Sequence, residues 1–327
     1  MLNKIGLEET FAIPETVMDS GGPKNCKAER WDMTENRLLD LGQARLEEMD
    51  KYGMEMMVLS LNSPAIQGIK ETKRAVEVAK KANDTLAEAI SKHPKRFAGF
   101  AALPMQDPDL AAEELNRCIK DYGFVGALAN GFTFLETEPG YAYYDQAEYW
   151  PFWGEVSKLD IPFYVHPRKC VDATQQTIYK DHEHLIASVW GFTVETGTHA
   201  LRLMGSGLFD KYPNLQIILG HLGEALPCNI WRTTHRLTRE PYEPRHKKPF
   251  TEYFLNNFHI TTSGDFRLAP LLCAMMEMGS DRILFATDWP FEDVSHAANW
   301  FDEVEISETD REKIGRTNAI KLLKLDL

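Results

Sequence analysis

Eight short apolar runs punctuate the chain, with room for a helix between most neighbours, and this alternation limits the possible folds more than any other feature. The runs are Lys4–Leu7, Met56–Leu61, Arg96–Pro104, Phe124–Asn130, Ile161–His166, Leu215–His221, Phe258–Ser263 and Ile283–Asp288. Most are continuous stretches, as expected of strands buried on both faces. Segments with helical spacing separate them over Leu38–Tyr52, Lys73–Lys92, Asp109–Tyr122, Phe152–Leu159 and about Ile186–Phe209. A further helix is expected over Ala225–Arg232, and an amphipathic C-terminal helix from about Glu308 to Leu325. Strands alternating with helices predict an α/β fold with a parallel sheet. Two stacked doubly wound domains would alternate in the same way. However, no Gly-x-Gly-x-x-Gly follows the first strand, and no Gly-Lys-Ser/Thr phosphate loop or internal linker is present. One (β/α)8 TIM barrel over residues 1–327 fits better, since such barrels take about 250 residues before insertions. The polar stretch from Ala12 to about Met33 reads as an inserted N-terminal loop.

Composition removes several classes of function. Net charge is −13 and no basic stripe is present, which argues against nucleic acid. No apolar run approaches the roughly 18 residues of a membrane helix. Near the N-terminus, Glu8 and Glu9 stand where a signal peptide would be apolar. Cys26, Cys118, Cys170, Cys228 and Cys273 are odd in number and contain no Cys-x-x-Cys pair. That pattern predicts reduced thiols and a cytoplasmic location.

In a barrel of this kind catalytic residues sit at the C-terminal ends of the strands. Glu8 follows strand one, Asn62 strand two and Asn130 strand four; His166, His221, Ser263 and Asp288 end strands five to eight. Strands one and eight are neighbours and strand five faces them, so Glu8, His166 and Asp288 can converge. Two carboxylates and an imidazole with open positions make a catalytic site for one divalent ion, Zn²⁺ or Mn²⁺. Each residue has an ordinary alternative. Glu8 could be a surface acid, His166 a turn residue before Pro167, His221 a hydrogen-bonded core histidine and Asp288 a capping residue. Their joint occurrence at strand ends is harder to explain by packing. Glu224, three residues after His221, could orient the imidazole or complement the dipole of the next helix. Arg232 on that helix would suit an anionic substrate. His182 and His184 lack strand context, and His199 and His259 read as packing residues.

Several segments resemble one family. They are Lys4-Ile-Gly-Leu-Glu-Glu-Thr-Phe-Ala-Ile-Pro14, Ala101-Ala-Leu-Pro-Met-Gln-Asp-Pro108, Gly123-Phe-Val-Gly-Ala-Leu128 and Phe163-Tyr-Val-His-Pro167. To these add Ile218-Leu-Gly-His-Leu-Gly-Glu224, Thr261-Thr-Ser-Gly264, Ile283-Leu-Phe-Ala-Thr-Asp-Trp-Pro-Phe-Glu292 and Ile314-Gly-Arg-Thr-Asn-Ala319. Together they are similar to the metal-dependent aromatic-acid decarboxylases of the amidohydrolase superfamily, especially those acting on γ-resorcylate (2,6-dihydroxybenzoate). The resemblance implies an amidohydrolase-like barrel with metal ligands Glu8, His166 and Asp288. It implies catalytic roles for Asp288, His221 and Glu224, and substrate contacts from Asn130 and Arg232. It also implies self-association as a dimer or tetramer. Thr10 departs from the pattern, because the resorcylate enzymes usually carry a fourth ligand, His, there. The stretch Gly21 to Cys26 departs too, lacking the aromatic residue expected to cover the substrate.

The implied reaction is reversible, non-oxidative decarboxylation of an ortho-hydroxylated benzoate of the 2,6- or 2,3-dihydroxybenzoate type to a phenol and CO₂. No organic cofactor is needed. A metal-dependent lactone or amide hydrolase on the same scaffold would call for His-x-His on strand one, where this chain reads Glu8-Glu9-Thr10. A non-catalytic barrel binding aromatic acids would have no need of the Glu8, His166 and Asp288 set.

Overall fold

Each apolar run forms a strand, and the eight strands pair in parallel in chain order. The computed structural model describes residues 1–22, 28–239 and 243–327. The strands are β1 (Lys4–Phe11), β2 (Met54–Leu61), β3 (Phe97–Ala102), β4 (Gly126–Asn130), β5 (Pro162–His166), β6 (Gln216–Leu219), β7 (Phe258–Thr261) and β8 (Ile283–Leu284). The seam between β8 and β1 closes through Leu7 N–H to the Phe285 carbonyl at 3.2 Å and Thr10 N–H to the Trp289 carbonyl at 2.7 Å. Helices on the outside complete a (β/α)8 barrel. Ile5, Leu7, Val58, Phe100, Leu128, Tyr164, Ile218 and Leu284 fill its interior. The larger core lies between the sheet and the helices, around Met57, Leu59, Phe163, Ile217 and Ile260.

One irregularity in β1 decides where its acids point. Gly6 pairs with Met57 and Glu9 with Leu59, so two residues of β1, Leu7 and Glu8, stand opposite Val58 alone. This is a β-bulge, which adds a residue and reverses the inward–outward alternation beyond it. Leu7 still faces the interior, and Glu8 is turned inward as well. Glu9 then falls in step with Leu59, whose side chain packs in the outer core.

The long N-terminal loop is shorter than its composition suggests. A 3-10 turn forms at Val17–Ser20 and a helix begins at Ala28. The helix expected over Leu38–Tyr52 is shorter, Gln43–Lys51, and a separate helix, Ala28–Leu39, ends where it was expected to begin. Between them the Asp40 carboxylate accepts the N–H groups of Gly42 (2.9 Å) and Arg45 (2.8 Å), so a side chain replaces the helical acceptors. The C-terminal helix runs over Glu308–Glu312, a wider turn at Lys313–Thr317 and Asn318–Leu323. Asn318 Nδ2 donates to the carbonyls of Ser280 and Ile283, which fixes that helix to the start of β8.

The expectation of separate thiols fails at one pair. Cys228 and Cys273 form a disulfide between the helices Leu226–Leu237 and Leu268–Met278, with Cα atoms 6.4 Å apart. Forty-five residues separate them in sequence, and only the packing of these helices brings them together. Cys118 and Cys170 are free and buried, and Cys26 lies outside the described residues. Among the described residues no helix is long and apolar enough to cross a membrane.

Candidate active site

At the C-terminal mouth of the barrel Glu8 is fully buried, and its two oxygens have different surroundings. Oε2 accepts the hydroxyls of Tyr164 and Ser263, and that of Thr261 at 3.0 Å. Oε1 has no hydrogen-bond partner. His166 Nε2 lies 3.2 Å from it and His221 Nε2 3.8 Å. Burial opposes the charge of Glu8, but the His221 and His166 rings and the Ser263 hydroxyl hold its carboxyl well below the usual range. Asp288 Oδ2 stands 3.9 Å from His221 Nε2. Burial and the nearby charge of Glu8 raise the Asp288 carboxyl.

His221 opens an unusual turn. His221, Leu222, Gly223, Glu224 and Ala225 all have positive φ, at 47°, 51°, 80°, 54° and 60°. Four of them are not glycine, and left-handed helical backbone costs about 1–2 kcal/mol for each such residue, or roughly 4–8 kcal/mol together. Non-glycine residues in this region are held there by their surroundings. Here Gly223 N–H bonds the Gly220 carbonyl at 2.7 Å, and His221 N–H bonds the Ser263 hydroxyl at 3.1 Å. The turn places Glu224 Oε1 2.8 Å from His221 Nδ1, leaving Nε2 toward Glu8 and Asp288. Burial disfavours a charged His221 ring, yet the Glu224 and Glu8 carboxylates raise it well above its usual range.

The adjacent Glu9 is also fully buried but faces the outer layer. Its Oε1 accepts Thr287 N–H at 2.9 Å and its Oε2 the Thr287 hydroxyl at 2.5 Å, which anchors the residue before Asp288. Burial pushes the Glu9 carboxyl up to about 7. Beneath it Arg45, likewise buried, donates to the Thr10 carbonyl at 2.9 Å.

The donor set fits a divalent ion. A buried carboxylate oxygen without a partner is costly, and Glu8 Oε1 is such an atom, facing imidazole nitrogens and a second carboxylate. Ligand atoms of Glu8, His221 and Asp288 lie within 4.8 Å of one another, while His166 Nε2 approaches the free oxygen of Glu8. Glu8, His221 and Asp288 therefore face one point, with His221 nearer the centre than strand order alone suggests, and His166 adjoins it through Glu8 Oε1. Two carboxylates with imidazoles and no thiolate suit zinc or manganese.

A cavity of about 450 Å³ opens beside this cluster, lined by His221, Glu224, Asp288, Asp265 and Glu292 and by apolar Trp190, Phe192, Leu222, Pro227 and Pro270. Asn130 is buried level with His166, its partner across the β4–β5 pairing, and does not line the cavity. Its Nδ2 donates to the Asn62 carbonyl at 3.0 Å, and its Oδ1 has no partner. Arg232 is exposed on the helix Leu226–Leu237 and does not line the cavity, because Pro227 and Cys228 take the cavity-facing turn. Thr10, two residues beyond Glu8, is buried without a ligating ring. The departure at Gly21 to Cys26 falls largely outside the described residues. Sequence reasoning missed the hydroxyl cage around Glu8. Tyr164, two residues before His166 on β5, had the period-two spacing that places both on one face.

Comparison with known proteins points to one family. A family model described as Amidohydrolase matches residues 26–325. A γ-resorcylate decarboxylase of Rhizobium sp. is 53% identical over 328 positions, covering 100% of this chain and 99% of the relative. The crystal structure of a 2,6-dihydroxybenzoate decarboxylase complexed with 2,6-dihydroxybenzoate superposes with a TM-score of 0.96 at 53% identity, covering 99% of this chain and 100% of that one. A dihydroxybenzoic acid decarboxylase from Polaromonas sp., solved with manganese and the inhibitor 2-nitroresorcinol, gives a TM-score of 0.97 at 52% identity. It covers 100% of this chain and 98% of that one.

Proposed function

The chain belongs to the amidohydrolase family, and from that premise we propose that it is a metal-dependent decarboxylase whose substrate is γ-resorcylate, 2,6-dihydroxybenzoate. It is a carboxy-lyase acting on an ortho-hydroxylated benzoate without an oxidant. The ring–carboxylate bond breaks, CO₂ departs, and a proton takes its place to give a phenol. Identity of 52–53% kept over the full length of the γ-resorcylate decarboxylases carries this reading. One divalent ion, zinc or manganese, serves the reaction. We treat residues 1–327 as one barrel domain.

We assign the side chains the roles that the resemblance implies, and the geometry lends them support. Glu8, His166 and Asp288 are the residues that would hold the ion, which when bound would supply Lewis-acid stabilisation for oxygens of the substrate. Asp288 is the proposed acid that protonates the ring carbon losing CO₂. It borders the cavity, so a ring seated there meets its carboxyl. His221, held through Nδ1 by Glu224, aims Nε2 at the same place and assists that proton transfer or binds a phenolic oxygen. Asn130 has an unpartnered Oδ1 with which to accept a hydroxyl of the substrate. Trp190, Phe192 and Leu222 offer the apolar walls that an aromatic ring needs and that exclude water. Self-association and a cytoplasmic location belong to the same proposal. Exposed Ile178, Val189, Trp190 and Trp231 supply apolar surface for a second copy, which sedimentation measures.

The test is turnover of 2,6-dihydroxybenzoate, 2,3-dihydroxybenzoate, salicylate and 5-carboxyvanillate by protein of assayed metal content, with and without a chelator. Chelator-sensitive conversion of 2,6-dihydroxybenzoate to resorcinol is the expected result. No turnover of any of these acids by metal-replete protein would overturn the assignment.

A further inference from the structure

Ser263 lies just past the end of β7, is fully buried and touches neither the cavity nor solvent. Its hydroxyl nevertheless meets both halves of the site. It donates to Glu8 Oε2, lies 2.9 Å from the Thr261 hydroxyl and accepts His221 N–H at 3.1 Å. A hydroxyl has one proton and two acceptor lone pairs, so the carboxylate and the amide can be served at once. Neither group has a ready substitute. His221 is the first residue of the left-handed turn, and the leading N–H of a helical turn finds no acceptor inside it. Glu8 Oε2 is held by hydroxyls alone, from Tyr164, Thr261 and Ser263.

We propose that Ser263 is a positioning residue which sets the separation between the free oxygen of Glu8 and the His221 ring by binding the Glu8 carboxylate and the His221 amide through one oxygen. With that oxygen removed, the amide is left buried without a partner and Glu8 can rotate on its two remaining hydroxyls. The 3.8 Å spacing of Glu8 Oε1 and His221 Nε2 then has no fixed value. Ser263 touches no substrate, so its effect passes through the groups it holds. The inference rests on the decarboxylase reading for its kinetic arm only.

Ser263→Ala is compared with Thr262→Val. Thr262 is the neighbouring buried hydroxyl, which bridges β7 to Ala286 with two bonds of 3.1 Å and does not contact Glu8 or His221. The readouts are manganese affinity of the chelator-treated protein by competition, kcat and KM for 2,6-dihydroxybenzoate, and the urea midpoint of the metal-free protein. Partners that orient metal ligands typically change metal affinity by about 10–100-fold, and a loss of that size is expected for Ser263→Ala. Its kcat should fall with KM changed by less than about threefold. Thr262→Val should lower the urea midpoint and leave manganese affinity unchanged. Where Ser263→Ala does not fold, Ser263→Cys, with similar volume and a weak donor, carries the same expectation. Manganese affinity within about twofold of wild type in the Ser263 variant, or an equal loss in Thr262→Val, would overturn the proposal. Absence of decarboxylation by wild type would sink the substrate reading and leave the metal-binding comparison to decide the role of Ser263.

Discussion

Gly220 links β6 to the left-handed turn, and replacing it with alanine tests the geometry of Glu8 most directly. Its φ of −75° and ψ of −174° suit any residue, so the backbone does not oppose the change. The obstacle is space. An added Cβ would lie 2.8 Å from Glu8 Oε2, 3.0 Å from Oε1 and 3.1 Å from the Tyr164 hydroxyl. Ordinary carbon–oxygen contacts begin at about 3.3 Å, so the carboxylate must retreat by roughly half an ångström. The hydroxyls on Oε2 resist that movement. Overpacking a filled site costs about 1–3 kcal/mol, and loss of one hydrogen bond to a charged group adds about 1.5–3 kcal/mol. Gly220→Ala should therefore destabilise the metal-free protein by about 3–5 kcal/mol in urea unfolding. Because Oε1 moves as well, manganese affinity should fall at least tenfold, about 1.4 kcal/mol. Gly205→Ala is the matched control, since its Cβ meets only Phe250 Cζ at 3.4 Å. Wild-type manganese affinity and an unshifted urea midpoint in Gly220→Ala would refute the placement of Glu8.

Three further outcomes are expected. Thr10→His adds an imidazole two residues beyond Glu8 and should raise manganese affinity about tenfold or more; equal or weaker binding by chelator competition would show that residue 10 does not reach the ion. Asp288→Asn should leave less than about a tenth of kcat, a barrier increase above roughly 1.4 kcal/mol, and higher residual activity would remove Asp288 as the acid. Burial lowers the imidazoles of His199 and His259 to about 3 from the ordinary 6.5. Between those values the unfolded chain binds more protons than the fold, so stability rises with pH there and is lost as pH falls from about 6.5 toward 3. From pH 7 to pH 5 the loss should be about 2 kcal/mol per ring. The rise of the Glu9 carboxyl to about 7 acts in the opposite sense in both proteins, so the comparison decides: a midpoint that varies with pH as steeply in His199→Gln/His259→Gln as in wild type would contradict it.

The barrel was legible because strands buried on both faces have continuous apolar sequences, and all eight appear within a few residues of their expected positions. β8 is the shortest, since beyond Leu284 the chain bonds β1, Thr262 and Glu9 instead of continuing the ladder. The strand-end residues Glu8, His166, His221 and Asp288 were legible for the same reason, as polar stops on apolar runs. The bulge was not. Its extra residue has no sequence mark, and two consecutive glutamates look like a surface pair until Glu8 is seen facing the mouth and Glu9 the outer layer. The left-handed turn was equally hidden, because in His221-Leu-Gly-Glu-Ala225 only Gly223 hints at positive φ. Asp40-Leu-Gly42 did carry a readable break, an acid two residues before a glycine, inside a segment whose apolar spacing reads as one helix. The Cys228–Cys273 pairing depends on two helices from different barrel units and could not be inferred from spacing.

The turn after β6 also makes this short segment respond to chirality in the opposite sense from the rest of the barrel. Left-handed backbone is favourable for mirror-image residues, and Ala225, at φ 60° and exposed, carries no side chain beyond its methyl group. D-alanine installed there by chemical ligation would relieve about 1–2 kcal/mol. The same residue one turn further on, inside the right-handed helix Leu226–Leu237, would incur that amount instead. Five residues at the mouth of the barrel are thus a small mirror-image segment in an otherwise conventional chain, and the imidazole proposed to assist Asp288 stands at its first position.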